Sequence, residues 1–354
     1  DTGATMHQPL AHDALTPRRT PVDLRAVTEL DDRIGVLTAY FPAGPRALDV
    51  RVLRDKLMVL RERARSCRAR DRRALSYAAD RVLERARLAS GASGTAALAI
   101  FWRLDAGESL ELALPCAVGC TATVAPRALV GPLCAAAQAG RPAGALNVGD
   151  DLGALYEVGG GMVATPPRLL ARTPAQMREE ATRVGRKRGW DLVVVDGHAE
   201  AVERTLGQGV GAGIGADAAW PRFFNGRDAP AAGEAGWPEA ATATVVAERR
   251  RRAGCELAAL LDVAACGEDT IVCDLDAVRD ALGAGRVCRL LVAEPHGACD
   301  PLRGGLPWPK ATEALLHAAV LDDVEIDVAP APPRPSDVPF VIARLDRSGL
   351  RPGA

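Results

Sequence analysis

The N-terminal third of the chain alternates between the hydrophobic periods of helices and of strands. Apolar side chains recur every three or four residues over 49–65 and 74–88, which predicts two amphipathic helices that each bury one face. Three apolar or alternating runs predict strands, at 34–41, 95–102 and 109–114. A further helix is expected over 126–138, with Pro126 near its first turn.

The middle of the chain combines a predicted hairpin with a strongly marked helix. Apolar runs at 143–148 and 152–158 flank a Gly-Asp-Asp turn, which is typical of two antiparallel strands. Thr173 suits an N-cap and Pro174 suits the first helical position, while Gly189 follows a basic last turn and ends the helix.

Strands and helices alternate from Trp190 onward. A buried strand over 191–196 and a helix over 199–206 precede a long helix over about 239–265. The remaining elements are strands at 270–273, 286–294, 325–328 and 339–345, a helix at 276–282 that is capped by Asp274 and ends at Gly283, and a helix near 309–319. This succession predicts an α/β/α sandwich. Residues 207–238 are rich in Gly, Ala and Pro and are expected to be irregular.

These elements predict a multi-domain α/β protein. The expected divisions are a disordered lead-in at 1–30, an N-terminal α/β domain at 31–140, a reduced central domain with a basic helix at 141–189, a C-terminal α/β/α domain at 190–346 and a tail at 347–354.

The composition of the 354 residues narrows the class of protein. Hydrophobic residues make up 48% of the chain, which is enough for a sizeable core. The 44 basic and 45 acidic residues nearly cancel, so no global field indicates nucleic acid. No run of 18 apolar residues and no signal peptide is present, so we expect a cytoplasmic protein without membrane contact.

Candidate metal, cofactor and nucleophile chemistry is sparse. The nine Cys form no CxxC pair and are best interpreted as small buried residues in a reducing compartment. The five His lack metal-binding spacing. The Gly-rich stretch 207–216 lacks the GK[ST] of a P-loop, so no nucleotide cofactor is predicted.

Two arginine-rich stretches leave alternatives open. Residues 61–73 could contact phosphates or could be the solvated face of two helices, and the second interpretation is favoured. Residues 249–252 are four consecutive Arg on the long helix. One or two of them could pair with acidic neighbours while the others face solvent.

The order of several short motifs carries a family resemblance. The motifs are GTAALAIFW at 94–102, ELALP at 111–115, PRALVGPL at 126–133, GALNVGDDLGALYEV at 144–158, WDLVVVDGHAEAVERTL at 190–206, CDLDAVRDALGAGRVCRLLVAE at 273–294, EALLHAAVLDDVEIDVAP at 313–330 and VPFVIARLDR at 338–347. In this order they resemble the bacterial branch of the archaeo-eukaryotic release factors, relatives of Pelota, of the eukaryotic class 1 release factor and of Balon. The segment 190–206 is similar to the first strand and helix of that family's C domain.

The resemblance implies a candidate catalytic residue and also a reason to doubt it. Family members use a Gly-Gly-Gln loop for peptidyl-tRNA hydrolysis, and Gln176 stands at the place of the Gln. Pro174 and Ala175 replace the glycines, and Pro fixes φ and removes an N–H donor. Thr173 and Gln176 also fit a capping box, so Gln176 has three open roles: helix capping, hydrolysis, or a non-catalytic contact with RNA.

The family's function supplies the expected partners. The resemblance implies a protein of the ribosomal A site, in ribosome rescue or hibernation, with the ribosome and tRNA or rRNA as partners, a translational GTPase such as elongation factor Tu as a further partner, and no DNA. The expected RNA contacts on the basic helix are Arg172, Arg178, Arg183, Arg186, Lys187 and Arg188. The alternatives are an active hydrolase that uses Gln176, and a protein-interaction module that keeps only the fold and uses the aromatic-bearing loop 207–238.

Overall fold

A computed structural model describes most of the chain. The described residues are 23–43, 50–89, 97–116, 118–159, 162–163, 167–170, 172–207, 221–226, 237–265, 270–295, 308–330 and 341–346. They form a mixed α/β protein, as the sequence predicted, and their strands build three separate sheets. The predicted tail, most of the predicted lead-in and most of loop 207–238, including its Gly-rich stretch and Trp220, lie outside the described residues.

The first sheet is built from the N-terminal third. Its elements are α1 Leu24–Thr28, β1 Asp31–Pro42, α2 Val50–Arg63, α3 Ala69–Ala89, β2 Ala97–Arg103, β3 Glu108–Leu114 and β4 Thr121–Arg127. The strands are antiparallel in the order β3-β2-β1-β4. Helices α2 and α3 cover one face of the sheet, where Leu53, Leu57 and Val82 pack against Leu37 and Ile100.

Two predictions for this region are wrong. Pro126 belongs to β4 and not to the next helix, because residues 121–125 pair with β1. The helix begins at Gly131 instead, with Pro132 in its first turn. The end of the predicted disordered lead-in is also ordered, since α1 buries Val27 completely and is capped by Asp23.

The second sheet follows the short helix α4. Its elements are α4 Gly131–Gly140, β5 Ala143–Val148, β6 Gly153–Gly159, β7 Met162–Val163, β8 Arg168–Leu170, α5 Pro174–Arg188, β9 Leu192–Gly197, α6 Ala199–Leu206 and β10 Arg222–Asn225. The sheet order is β10-β9-β5-β6-β7, and β8 also pairs with β6. Strands β5, β9 and β10 are parallel, and the predicted hairpin of β5 and β6 is confirmed.

Strand pairing corrects the interpretation of residues 190–206. Strand β9 pairs with β5 from Val193 to Gly197, so the expected beginning of the C-terminal unit lies inside the second sheet. Strand β10 extends the same sheet from within the segment that was expected to be irregular. The sequence motif defined a strand and a helix correctly but could not show which sheet would accept the strand.

The third sheet completes the C-terminal α/β/α sandwich. Its elements are α7 Trp237–Ala265, β11 Ile271–Val272, α8 Leu275–Gly283, β12 Val287–Ala293, α9 Lys310–Leu321, β13 Glu325–Ala329 and β14 Val341–Leu345, and the strand order is β11-β14-β12-β13. Side chains on β12 alternate between its two faces. Leu290 lies with α8 and α9, and Leu291 packs against Leu257 of α7.

Helix α7 spans the second and third sheets. Its first half packs Trp237, Ala241 and Val245 against the second sheet. Its second half packs Ala253 and Leu257 against the third sheet. The four consecutive Arg therefore lie where the helix passes from one sheet to the other.

Charged side chains from distant elements hold both ends of α4. At its N-terminus the Glu313 carboxylate of α9 accepts the backbone N–H of Val130 at 2.8 Å and of Gly131 at 2.9 Å. At its C-terminus Arg249 of α7 donates to the carbonyls of Ala139 at 3.2 Å and Arg141 at 2.7 Å. These signs match the helix dipole, so α4 is fixed to α9 at one end and to α7 at the other.

Candidate functional site

The N-terminus of α5 is closed by the capping box that the sequence predicted. Thr173 is extended, and its backbone N–H donates to the Gln176 side-chain oxygen at 3.2 Å. Pro174 occupies the first turn, where its missing N–H costs nothing. Gln176, the candidate catalytic residue, is therefore an exposed helix cap whose amide oxygen is already engaged.

One face of α5 anchors the helix to the second sheet. Met177 and Ala181 are completely buried against Leu146 and Leu155. Between this face and solvent lies Glu180, which is 5% exposed. A carboxylate at that depth requires partners, and they are basic.

Glu180 forms ion pairs with two guanidinium groups. Arg183 lies 2.6 Å away on the same helix, and Arg168 of β8 lies 2.5 Å away. The hydrogen bond from Arg183 is the main cause that holds the pKa of Glu180 below its usual range. This ion pair fixes β8, and thereby the chain leading into α5, against the helix.

The opposite face of α5 is polar and exposed. At about 100° per residue, one arc of about 100° contains Gln176, Glu179, Arg183, Arg186 and Lys187. All five are exposed, and the three basic residues outnumber the acidic one. Three of the six predicted RNA contacts therefore share one surface with the candidate catalytic residue, and Arg172 is exposed just before the helix begins. We call this surface the α5 face.

Arg178 does not belong to the α5 face. Its guanidinium donates to the carbonyls of Thr205 at 3.2 Å and Leu206 at 2.6 Å, and lies 5.2 Å from the Phe223 ring centroid. It thus caps the C-terminus of α6. The predicted RNA-contacting role of Arg178 is not available in this structure, because the side chain points toward α6 and β10.

Arg188 occupies the end of the helix and is separated from the α5 face. Its Nε lies 3.7 Å from a carboxylate oxygen of Glu157 on β6. Gly189 then ends the helix with a φ of 70°, a left-handed conformation that glycine adopts without strain.

The four consecutive Arg of α7 serve the structure in different ways. Arg249 is 5% exposed, and in addition to the α4 carbonyls it binds both carboxylate oxygens of Asp191 at the start of β9. Arg250 pairs with Glu294, while Arg251 and Arg252 both pair with Glu248. No periodicity or motif distinguishes Arg249 from its neighbours, so sequence reasoning missed the one that joins three elements.

The described part of the chain was also compared with the requirements of a metal site and of a membrane span. It contains no group of three His, Cys, Asp or Glu side chains that could hold a metal ion. Among the same residues, no helix is both long and apolar enough to cross a bilayer.

Comparison with known proteins gives matches among solved structures only. No protein-family model matches the chain, and no curated protein matches it. The archaeal translation termination factor aRF1 is 16% identical, with 91% of this chain and 95% of that chain covered and a TM-score of 0.28. Ribosome-bound archaeal Pelota, in a structure with ABCE1, is 13% identical, with 93% and 94% covered and a TM-score of 0.37.

A third match is Pelota from Archaeoglobus fulgidus. It is 16% identical, with 70% of this chain and 78% of that chain covered and a TM-score of 0.32. At identities below 25% and TM-scores below 0.5, these matches leave the function to be inferred from the residues of this chain.

Proposed function

We propose that this chain is a release-factor-like translation protein that binds RNA at the ribosomal A site through the α5 face, without hydrolysing peptidyl-tRNA. The α5 face carries this proposal. It places Arg183, Arg186 and Lys187 on one exposed surface of a helix that is anchored by its other side. Such a row of cations suits the phosphate backbone of RNA, and the motif order of the chain supplies the expected family context.

The state of Gln176 supports the proposed absence of hydrolysis. A Gln that positions water near an ester needs a free amide group on a backbone that can approach the ester closely. Here the amide oxygen accepts the Thr173 N–H, and Pro174 restricts the backbone in front of it. The biological setting that we propose is ribosome rescue or hibernation, as for Balon-like bacterial members, in company with a translational GTPase.

Co-sedimentation with 70S ribosomes tests the binding step. Lys187→Glu is expected to weaken ribosome binding, and Arg279→Glu is the control that should not. Both side chains are exposed cations on helices, and Arg279 belongs to α8, outside the α5 face. Equal effects of the two substitutions, or no ribosome binding by the unmodified chain at low salt, would contradict the proposal.

A release assay on ribosomes loaded with peptidyl-tRNA tests the catalytic step. We expect no release above background, and the same result after Gln176→Ala. Release that depends on Gln176 would instead support the hydrolase alternative and would show that the capping box opens on the ribosome.

A further inference from the structure

The outer face of α3 carries an arrangement that the α5 proposal does not use. Tyr77 is 60% exposed, and it is the one largely exposed aromatic side chain among the described residues. Its ring meets the Trp102 ring of β2 edge to face, with centroids 5.8 Å apart. The other two Tyr of the chain, Tyr40 and Tyr156, are buried or half-buried.

Arginines flank Tyr77 along the same helical face. Arg73 and Arg81 lie four residues before and after it, so each neighbours the ring on the helix surface. Arg70 lies one further turn toward the N-terminus, and Glu84 lies beyond Arg81 and pairs with it at 2.6 Å. The row Arg70, Arg73, Tyr77 and Arg81 therefore alternates cations with an exposed ring. We call this row the α3 row.

The charge around the N-terminal end of the α3 row is strongly positive. Residues 61–73 contain seven Arg and only two acidic residues, Glu62 and Asp71. Asp105 neutralises part of this charge, since it receives both Arg70 and Arg33. Arg63, Arg68 and Arg73 are exposed and have no ion-pair partner among the described residues. This excess of unpaired cations favours a polyanion over a protein partner of mixed charge.

We propose that the α3 row binds a single-stranded nucleic acid, with one base stacked on Tyr77 and the flanking phosphates at Arg73 and Arg81. An exposed aromatic ring accepts any base face, and guanidinium groups on either side match the backbone of the strand. The packing of Tyr77 on Trp102 holds the ring in place, so little side-chain freedom is lost on binding. The stretch 61–73, for which the sequence favoured a solvated face, thereby becomes the positively charged approach to a stacking site.

Binding of a labelled ten-nucleotide single strand, followed by anisotropy, tests this site directly. RNA and DNA strands are measured separately, and a duplex of the same sequence is measured beside them. Tyr77→Ala is expected to weaken binding about tenfold, whereas Tyr77→Phe keeps the ring and should bind like the unmodified chain. Arg73→Ala should reduce the slope of log K against log salt by about 0.7, the value for one phosphate contact on a single strand.

Two controls separate this site from other effects. Leu88→Ala removes an exposed side chain from the same face of α3 and should not change the affinity. All variants are also made in a Lys187→Glu background, so that strand binding at the α5 face is weakened and the Tyr77 effect is measured separately.

The outcomes are distinct from those of the ribosome experiments because the probe is a free oligonucleotide. An effect of Tyr77→Ala that persists in that background supports the α3 row. The proposal is overturned if no strand binds, if the duplex binds as tightly as the single strand, or if Tyr77→Ala with an unchanged melting temperature binds like Leu88→Ala.

Discussion

Helices α4 and α5 lie close together in the chain, but their ends are stabilised in different ways. The caps of α5 are local: Thr173 and Gln176 close its first turn, and Gly189 ends it. The caps of α4 are Glu313 and Arg249, each more than 100 residues away, since Val130 at its N-cap position offers no side-chain hydrogen bond. A locally capped helix can expose its outer face to a binding partner. A helix that is capped by distant charges instead connects the elements that carry those charges, here α9 and α7.

The largest expected effect is at the C-terminal end of α4. Arg249→Ala removes donors from the α4 carbonyls and leaves Asp191 without its guanidinium partner. Loss of one partner from a buried pair typically costs about 3–5 kcal/mol. Urea denaturation monitored by circular dichroism measures this loss. Arg251→Ala is the control, because that side chain is 63% exposed and pairs only within α7 among the contacts described; a similar loss in both variants would remove the distinction.

The N-terminal end of α4 should make stability depend on pH. Burial raises the pKa of Glu313 to about 7, although the two N–H donors oppose the shift. The folded state therefore holds a proton that the unfolded state has released, and the contribution of Glu313 to the free energy of unfolding decreases as pH rises from about 4.5 through about 7. The full decrease is of the order of 3 kcal/mol.

The difference between the unmodified chain and Glu313→Gln isolates this contribution. Burial lowers the pKa of the neighbouring His317, which works in the opposite direction at acid pH but is common to both proteins. We expect Glu313→Gln to gain stability relative to the unmodified chain as pH rises from 5 to 8. A difference in unfolding free energy that stays constant over that range would contradict the assignment.

A smaller effect is expected at the N-terminus of α5. Gln176→Ala removes one of the two reciprocal bonds of the capping box, and Thr173 can still accept the N3 amide. The cost should be about 0.5–1 kcal/mol in urea denaturation, since the group is exposed and water replaces the bond. Thr173→Ala provides the comparison, and it should cost at least as much; no change in either variant would show that the box does not stabilise α5.

The smallest expected effect on stability belongs to the α5 face. Lys187 is exposed and has no ion-pair partner among the described residues, so Lys187→Ala should change the free energy of unfolding by less than about 0.5 kcal/mol. The same substitution should weaken ribosome co-sedimentation measurably, because one phosphate contact is lost. If Lys187→Ala lowered the free energy of unfolding but left ribosome binding unchanged, α5 would resemble α4 as a structural helix, and the proposed binding role of its outer face would be contradicted.

Local signals allowed much of the fold to be predicted. The capping box of α5, the Asp274 cap of α8, which accepts two backbone amides at 3.0 Å, and the hairpin of β5 and β6 all follow from neighbouring residues. The sheet to which a strand belongs could not be predicted from neighbouring residues, and β9 is the example. Its run of apolar residues suits any buried strand, so only the neighbouring positions of β5 and β10 decided where it pairs.

The residues of the candidate site likewise include some that local sequence signals could identify and some that they could not. The basic residues of α5 were visible in the sequence, but which of them share an exposed face was not predicted. Arg178 lies off the α5 face, since its acceptors are carbonyls of α6 and its neighbour is the ring of Phe223. Backbone acceptors leave no trace in a sequence, so the direction of an arginine on a helix with two neighbours cannot be predicted.

The sequence by itself determined most of the elements, their caps where these are local, and the Pro and Ala that precede Gln176. Only the tertiary structure decided that β9 belongs to the second sheet, that Arg249 and Glu313 hold the ends of α4, and that Tyr77 stands exposed among arginines. Hydrophobic period and capping act over a few residues and are therefore visible in the sequence. Burial of a charge or exposure of a ring depends on which distant elements pack nearby, and that information exists only in the folded chain.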